Sequence, residues 1–137
     1  MDPANPNFLG DYPKFALWPD AYYFTVNMFS NNTTFNGVRV FALPRQSMIN
    51  GTGAPNAGAI AFTITAADIG AAYSLVPATF RTGSPPPAGT DEYLLAIDSP
   101  ASADVVLTQV HAWRYHADFA NPANSTFGVG TAHTPYA

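Results

Sequence analysis

Short stretches of alternating apolar and polar residues recur along the chain, and they predict β-strands rather than helices. The clearest is Ala21–Phe29 (AYYFTVNMF), where alternation places Tyr22 and Met28 on one face and Tyr23 on the other. Thirteen prolines and ten glycines separate such stretches. The predicted strands are Tyr12–Trp18, Ala21–Phe29, Val38–Leu43, Ala59–Thr65, Ser74–Phe80, Glu92–Asp98, Val105–Phe119 and Phe127–Thr131.

Three segments depart from this simple pattern. Arg45–Met48 is predicted to form one helical turn, and Ala66–Ala72 could form another. The fifteen residues of Val105–Phe119 are long for a flat strand, so we expect a β-bulge within them.

Eight short strands without a strong helix predict an all-β fold. The pattern is compatible with a sandwich, a barrel or propeller blades. The 137 residues fit one domain. The strands divide into two antiparallel four-stranded meanders, residues 11–66 and 73–131, each with the make-up of a propeller blade. Two isolated blades would expose apolar faces and strand edges. The propeller interpretation therefore requires copies of the chain to close a ring by oligomerisation, with four, six or eight blades from two, three or four chains.

Composition excludes several partners. Lys and Arg total five and the net charge is −4, so no basic stripe is available for the phosphates of a nucleic acid. No apolar run is long enough to span a membrane, and MDPANPNF at the start has neither the basic nor the apolar region of a signal peptide. Cysteine is absent, which excludes disulfides and thiolate metal sites.

Motifs for covalent or cofactor chemistry are also missing. The chain has no G-x-S-x-G elbow, and Gly51-Thr52-Gly53 lacks the spacing of a phosphate loop. We therefore expect no cofactor and no resident metal.

His116 and Asp118 are the main catalytic candidates. On an extended strand they share a face with Arg114, so the imidazole and the carboxylate could lie side by side and serve a metal ion or a general base. Asp11, Asp20 or Asp98 would supply a third ligand or a second carboxylate, as in glycoside hydrolysis. The alternative is a polar strand face, with the aspartates bonding their own turns.

Aromatic residues crowd the segment Tyr12–Phe29. Most are expected in the core, because aromatic side chains supply a large part of the area that a core buries. Trp18 and Tyr23 are predicted as exposed exceptions that could stack on sugar rings. Together with Arg114 they form the candidate ligand-binding set.

Two segments resemble a family of large secreted bacterial proteins of unassigned function. They are DYPKFALWPDAYYFTVNMF, continuing into FALPRQSMINGTG, and WRYHADFANPANSTF. The resemblance covers roughly half of the chain and is interrupted around SPASADVVLTQVHAW. It implies β-propeller architecture and a secreted or cell-surface location of the parent protein, and it carries no catalytic residues over.

These observations predict an extracellular binding or structural module, with glycans as the first ligand class. The alternative is a hydrolase that uses a metal ion or carboxylates near His116 and Asp118. A third interpretation is that the chain is a fragment, and that the function belongs to a longer parent protein.

Overall fold

The computed structural model describes residues 7–31, 33–52, 58–70, 72–98 and 110–129. It confirms an all-β fold with two antiparallel four-stranded meanders, and strands follow one another in chain order within each sheet. The first sheet contains β1 (Phe8–Leu17), β2 (Ala21–Ser30), β3 (Thr34–Pro44) and β4 (Ile60–Thr65). The second contains β5 (Val76–Pro77), β6 (Glu92–Ile97), β7 (Val110–His116) and β8 (Thr126–Val129).

Helical structure is confined to short pieces in the described residues. The predicted turn at Arg45 is confirmed as helix α1 (Arg45–Asn50), and the ambiguous segment after β4 forms α2 (Ala66–Ile69). A 3-10 turn covers Pro122–Asn124. Among the residues described, none of these helices has the length and apolar character needed to cross a membrane.

The irregularities of the sheets differ from those predicted. The register of β1 on β2 shifts between Asp11 and Lys14, where Pro13 has no N–H to offer a ladder. The β2–β3 register also shifts between Asn27 and Phe29, where β3 has one extra residue, and Asn27 and Met28 are both buried beside this shift. The bulge predicted for Val105–Phe119 does not occur within Val110–His116, and residues 105–109 lie outside the described residues.

The core lies between the two sheets. Tyr23 of the first sheet and Tyr115 of the second are both fully buried, and their ring centroids lie 5.2 Å apart. Tyr115 also donates a hydrogen bond of 2.8 Å from its hydroxyl to the carbonyl of Ile60. Trp113 and Leu94 complete the inner face of the second sheet. Large rings packed in this way bury 150–250 Å² each and supply most of the driving force for sheet association.

The sheets are stacked with equivalent strands alongside and running in the same direction. The Thr25 hydroxyl, level with Lys14 in the β1–β2 ladder, donates to the carbonyl of Leu75 at 2.7 Å. Three residues further along β1, the amide of Leu17 donates to Thr79 Oγ1 at 3.2 Å. β1 and β5 therefore run in the same direction. At the other edge, the rings of Phe62 in β4 and Phe127 in β8 stack at 5.9 Å.

This arrangement brings opposite faces of the two meanders into contact. When two stacked sheets have the same strand order and the same strand direction, their corresponding faces are oriented in the same direction. The inner face of the first sheet therefore packs on the reverse side of the second. Within the described ranges, such front-to-back stacking leaves one face of each kind without a sheet packed on it.

Both faces are mainly apolar, although Arg39 lies on the first and Arg114 on the second. The first-sheet outer face is defined by Phe15, Tyr22, Phe24, Phe41 and Leu43, which share one side of β1, β2 and β3. The second-sheet outer face is defined by Val76, Tyr93, Leu95 and Ile97, which are all about half exposed. Strands with apolar residues on both faces are typical of sheets covered on both sides.

Candidate functional site

The polar candidates gather at one end of the molecule, where β2 and β6 begin. The turn between β1 and β2 closes with a hydrogen bond from the Trp18 amide to the carbonyl of Ala21, at 3.1 Å. Asp20 occupies this turn, and its carbonyl accepts from the amide of Arg45 at 3.1 Å. Asp91 has the equivalent place before β6. Because β2 and β6 run in the same direction, both aspartates lie at the same end of the stacked sheets.

Glu92 is the most unusual residue of this end. It is fully buried on the inner face of the second sheet, next to Asp91 in sequence, and pairs across the ladder with Tyr115. Neither carboxyl oxygen has a hydrogen-bond partner of normal geometry among the described residues. Burial raises the pKa of Glu92 to about 8, the negative charge of Asp20 adds to the rise, and the backbone N–H of Ala78 opposes it. Glu92 is therefore a neutral acid at pH 7.

Asp20 and Tyr23 form a second polar pair. The Tyr23 hydroxyl donates to Asp20 Oδ2 at 3.1 Å. Although Asp20 as a residue is exposed, partial burial of its carboxyl raises its pKa, while hydrogen bonds from its own backbone and from Tyr23 oppose the rise. Burial, followed by the nearby charge of Asp20, raises the pKa of Tyr23 well above its ordinary value. The pair fixes the turn to the core and leaves the Tyr23 hydroxyl protonated.

His116 and Arg114 share a carboxylate that the sequence did not indicate. His116 Nδ1 lies 2.8 Å from Asp91 Oδ1, and Arg114 Nε lies 3.1 Å from Asp91 Oδ2. Both side chains are on the exposed face of β7, as predicted from alternation. Ion pairs this exposed contribute little to stability. They do fix the orientation of the imidazole.

Asp118, the predicted partner of His116, is hydrogen-bonded within its own turn. Asp118 stands after the end of β7 and organises the turn that follows. Its Oδ1 accepts from the amides of Ala120 at 3.0 Å and Asn121 at 2.9 Å, and its Oδ2 accepts from the side chain of Asn124 at 3.2 Å. These hydrogen bonds, that from Asn121 first, lower the pKa of Asp118. Asp is suited to this turn because its carboxylate can accept from backbone amides two and three residues further on.

The expectation that Trp18 and Tyr23 are exposed is wrong. Tyr23 is fully buried and Trp18 is 8% exposed. The Trp18 indole donates from Nε1 to the carbonyl of Thr90 at 2.9 Å, and its ring meets Phe80 edge-on at 6.4 Å. Both rings fill the space between the sheets. Alternation could not show this, because both faces of β2 are apolar.

The other predicted carboxylates are dispersed. Asp11 bonds the amide of Tyr12 in the β1 bulge, at 2.7 Å. Asp98 pairs with His111 Nε2 at 2.6 Å. Within the described ranges, no three His, Asp or Glu side chains come together in a way that could hold a metal ion. The third ligand expected for His116 is therefore not found among these residues.

A cleft of about 960 Å³ lies away from this end, beside β5. Tyr12 and Lys14 of the β1 bulge form one side, and Val76, Leu95 and Ile97 of the second-sheet outer face form the other. The Lys14 ammonium covers the Tyr12 ring. The cleft is mainly apolar, with Asp11 and Asp98 among its few charged groups. No sequence motif pointed to it, because it depends on how the bulge sits against the second sheet.

The polar end has an acid that is protonated at neutral pH and a nearby carboxylate, a combination used in general acid–base catalysis. Glu92 is sealed within the core, however, and cannot reach a substrate in this arrangement. Asp118 is fully engaged in its turn. The geometry therefore favours a structural role for these groups.

No protein-family model matches the chain, and neither the curated proteins nor the solved structures include a significant match. The resemblance to secreted bacterial propellers therefore stays a prediction.

Proposed function

We propose that the protein is a structural module, a pair of β-propeller blades that joins copies of itself into a closed ring and serves as an extracellular binding scaffold. The front-to-back stacking of two apolar-faced meanders carries this proposal. Sheets of a propeller follow one another around an axis, so each blade is covered on both faces. The front-to-back stacking of the two sheets in this chain supports such a relation between them.

A small sandwich is the competing architecture, and the outer faces argue against it. In a sandwich the outward residues alternate as polar positions. Here Leu95 and Ile97 are 48% and 51% exposed, and Phe15 is 68% exposed. Apolar surface of this kind on opposite sides of one molecule is typical of interaction sites.

The mass in solution tests the proposal. Light scattering on the purified chain should give two, three or four times 14.6 kDa. Dilution should shift the mass toward the single chain without loss of strand content in circular dichroism. A mass of 14.6 kDa that stays the same at all concentrations would refute self-assembly.

Glycan binding and export belong to the proposal as well. The low content of charged residues and the family resemblance support an extracellular location. For glycans the support is narrower, since Trp18 and Tyr23 are buried and only Arg114 of the predicted set is exposed. Titration calorimetry with soluble polysaccharides, comparing the protein with Arg114→Ala, tests the ligand class.

The hydrolase alternative rests on His116, whose imidazole is exposed and oriented by Asp91. Elemental analysis of the purified protein, with His116→Ala as control, separates the two functions. Stoichiometric metal that the variant loses would support the hydrolase. Absence of metal from both proteins would leave the structural module.

A further inference from the structure

The two outer faces differ in kind, and this difference determines how copies can join. Inside the chain, the contact is between the inner face of the first meander and the reverse side of the second. The faces left over are the reverse side of the first meander and the front side of the second. They are therefore the same two kinds of face that already pack together within the chain.

Building on the proposed ring, we infer that the partner of the second-sheet outer face is the first-sheet outer face of a second copy, joined head to tail. The joint continues the sheet–sheet packing already present, with the same strand order and direction. A symmetric joint between identical faces would reverse the stacking at every second step. A symmetric dimer through one face alone would leave the other face of each chain uncovered.

The inner interface shows how the joint would be filled. There β5, the leading strand of its meander, lies close to the first sheet: Leu75, just before β5, is fully buried, and its carbonyl accepts a hydrogen bond from Thr25 of β2. In the joint, the leading strand is β1 of the second copy, and its outward residue is Phe15. Phe15 is the most exposed large apolar residue of the described chain, at 68%. A ring exposed in this way is the kind of anchor that dominates an interface.

The second-sheet outer face borders a cleft where Phe15 of the next copy would lie. The cleft of about 960 Å³ opens on Val76, Leu95 and Ile97, beside the strand that leads the second meander. In front-to-back stacking, β1 of the next copy comes to lie against β5 and β6, where this cleft is. Phe15 does not stand alone, since its ring stacks on Phe24 at 4.4 Å and Phe24 stacks on Phe41 at 5.6 Å. This row of rings forms a rigid ridge for the apolar surface around Leu95.

Two exposed-site variants test the pairing. Phe15→Lys blocks the first-sheet outer face, and Leu95→Lys blocks the second-sheet outer face. Each position is about half exposed or more, so both variants should fold. Gln46→Lys introduces the same charge on α1, outside both faces, and is the matched control. Circular dichroism and thermal unfolding verify the fold of all three.

A head-to-tail joint predicts a specific pattern of masses. Phe15→Lys alone and Leu95→Lys alone should each be monomers, with at least a tenfold weaker self-association than Gln46→Lys, which should assemble as the unaltered chain does. An equimolar mixture of the two face variants should form a dimer and nothing larger, since only one joint per pair is intact.

The outcomes separate this inference from the proposal it rests on. If the unaltered chain assembles but Phe15→Lys alone still forms dimers, or the mixture stays monomeric, the head-to-tail pairing is wrong and the assembly stands. If the unaltered chain is a monomer at every concentration, the proposed ring itself is wrong and the inference falls with it.

Discussion

Replacing Glu92 with glutamine should stabilise the protein at neutral pH, by an amount that changes with pH. The carboxyl is fully buried, and neither oxygen is hydrogen-bonded within the described part of the chain. Its pKa is raised to about 8 from an ordinary value of 4.5. Folding at pH 7 therefore requires the carboxyl to take up a proton that the unfolded chain has released.

The magnitude follows from the linkage between proton binding and folding. Below pH 4.5 both states are protonated and the residue has no pH-dependent effect. As the pH rises through 4.5 toward 8, the folded state loses about 1.4 kcal/mol of stability per pH unit relative to the unfolded state. At pH 7 the loss is about 3 kcal/mol, and it levels off near 5 kcal/mol above pH 8. Glutamine retains the shape and the polarity but cannot ionise.

Urea denaturation between about pH 4 and pH 8 measures this difference. The unfolding free energy of Glu92→Gln should exceed that of the unaltered chain by about 3 kcal/mol at pH 7, and the excess should be absent near pH 4. Glu92→Met is the matched variant, because it also removes the ionisable group while leaving no polar atom to bury. Its curve should lie parallel to that of Glu92→Gln. A difference from the unaltered chain that is constant with pH in both variants would refute the buried, neutral acid.

Three further changes test the fold. Gly37→Ala should lower the unfolding free energy by about 3 kcal/mol or more, since Gly37 has a φ of +112° and a Cβ there would collide with the carbonyl of Ile64, whereas Gly128→Ala meets nothing and should change little. Asp118→Ala should lower the melting temperature by removing the acceptor of its turn, with Asp118→Asn recovering part of the loss, as measured by thermal unfolding. Thr25→Val should cost about 1 kcal/mol in urea denaturation, because it keeps the shape but removes the hydroxyl that bonds to the second sheet; a neutral result would contradict that bond's role.

The strands could be predicted because their own residues determine them. The predicted strands Ala21–Phe29, Val38–Leu43 and Glu92–Asp98 combine β-branched and aromatic residues with turn residues at their ends, and all three are confirmed. The bounds agree within one residue at β2 and β6, whereas β3 begins four residues earlier than predicted, at Thr34. β5 is shorter than predicted, since Pro77 has no N–H to extend the ladder. The start of β1 was missed because Phe8–Asp11 shows no alternation, and only pairing with β2 makes it a strand.

The site was less predictable, since it depends on contacts between distant parts of the chain. Asp91 and His116 are 25 residues apart, and only the β6–β7 register brings them together. Apolar residues on both faces of β2 removed the signal that would have shown Tyr23 to be buried. Glu92 did have a signal, since alternation puts it on the same face as Leu94 and Ala96. A lone acid on an apolar strand face is a buried acid if that face is the inner one.

The common direction of the two meanders gives the molecule a polarity along its strands. The turns before β2 and β6 emerge at one end, which carries Asp20 and Asp91 with the imidazole of His116. The β2–β3 turn, with Asn31 and Thr33, emerges at the other end. Repeated around an axis, these ends would become two chemically distinct rims, one with Asp91 and His116 and the other with the Asp98–His111 pair. Any surface or ligand that recognised one rim would therefore bind the whole assembly in a single orientation, with every copy presenting the same groups at once.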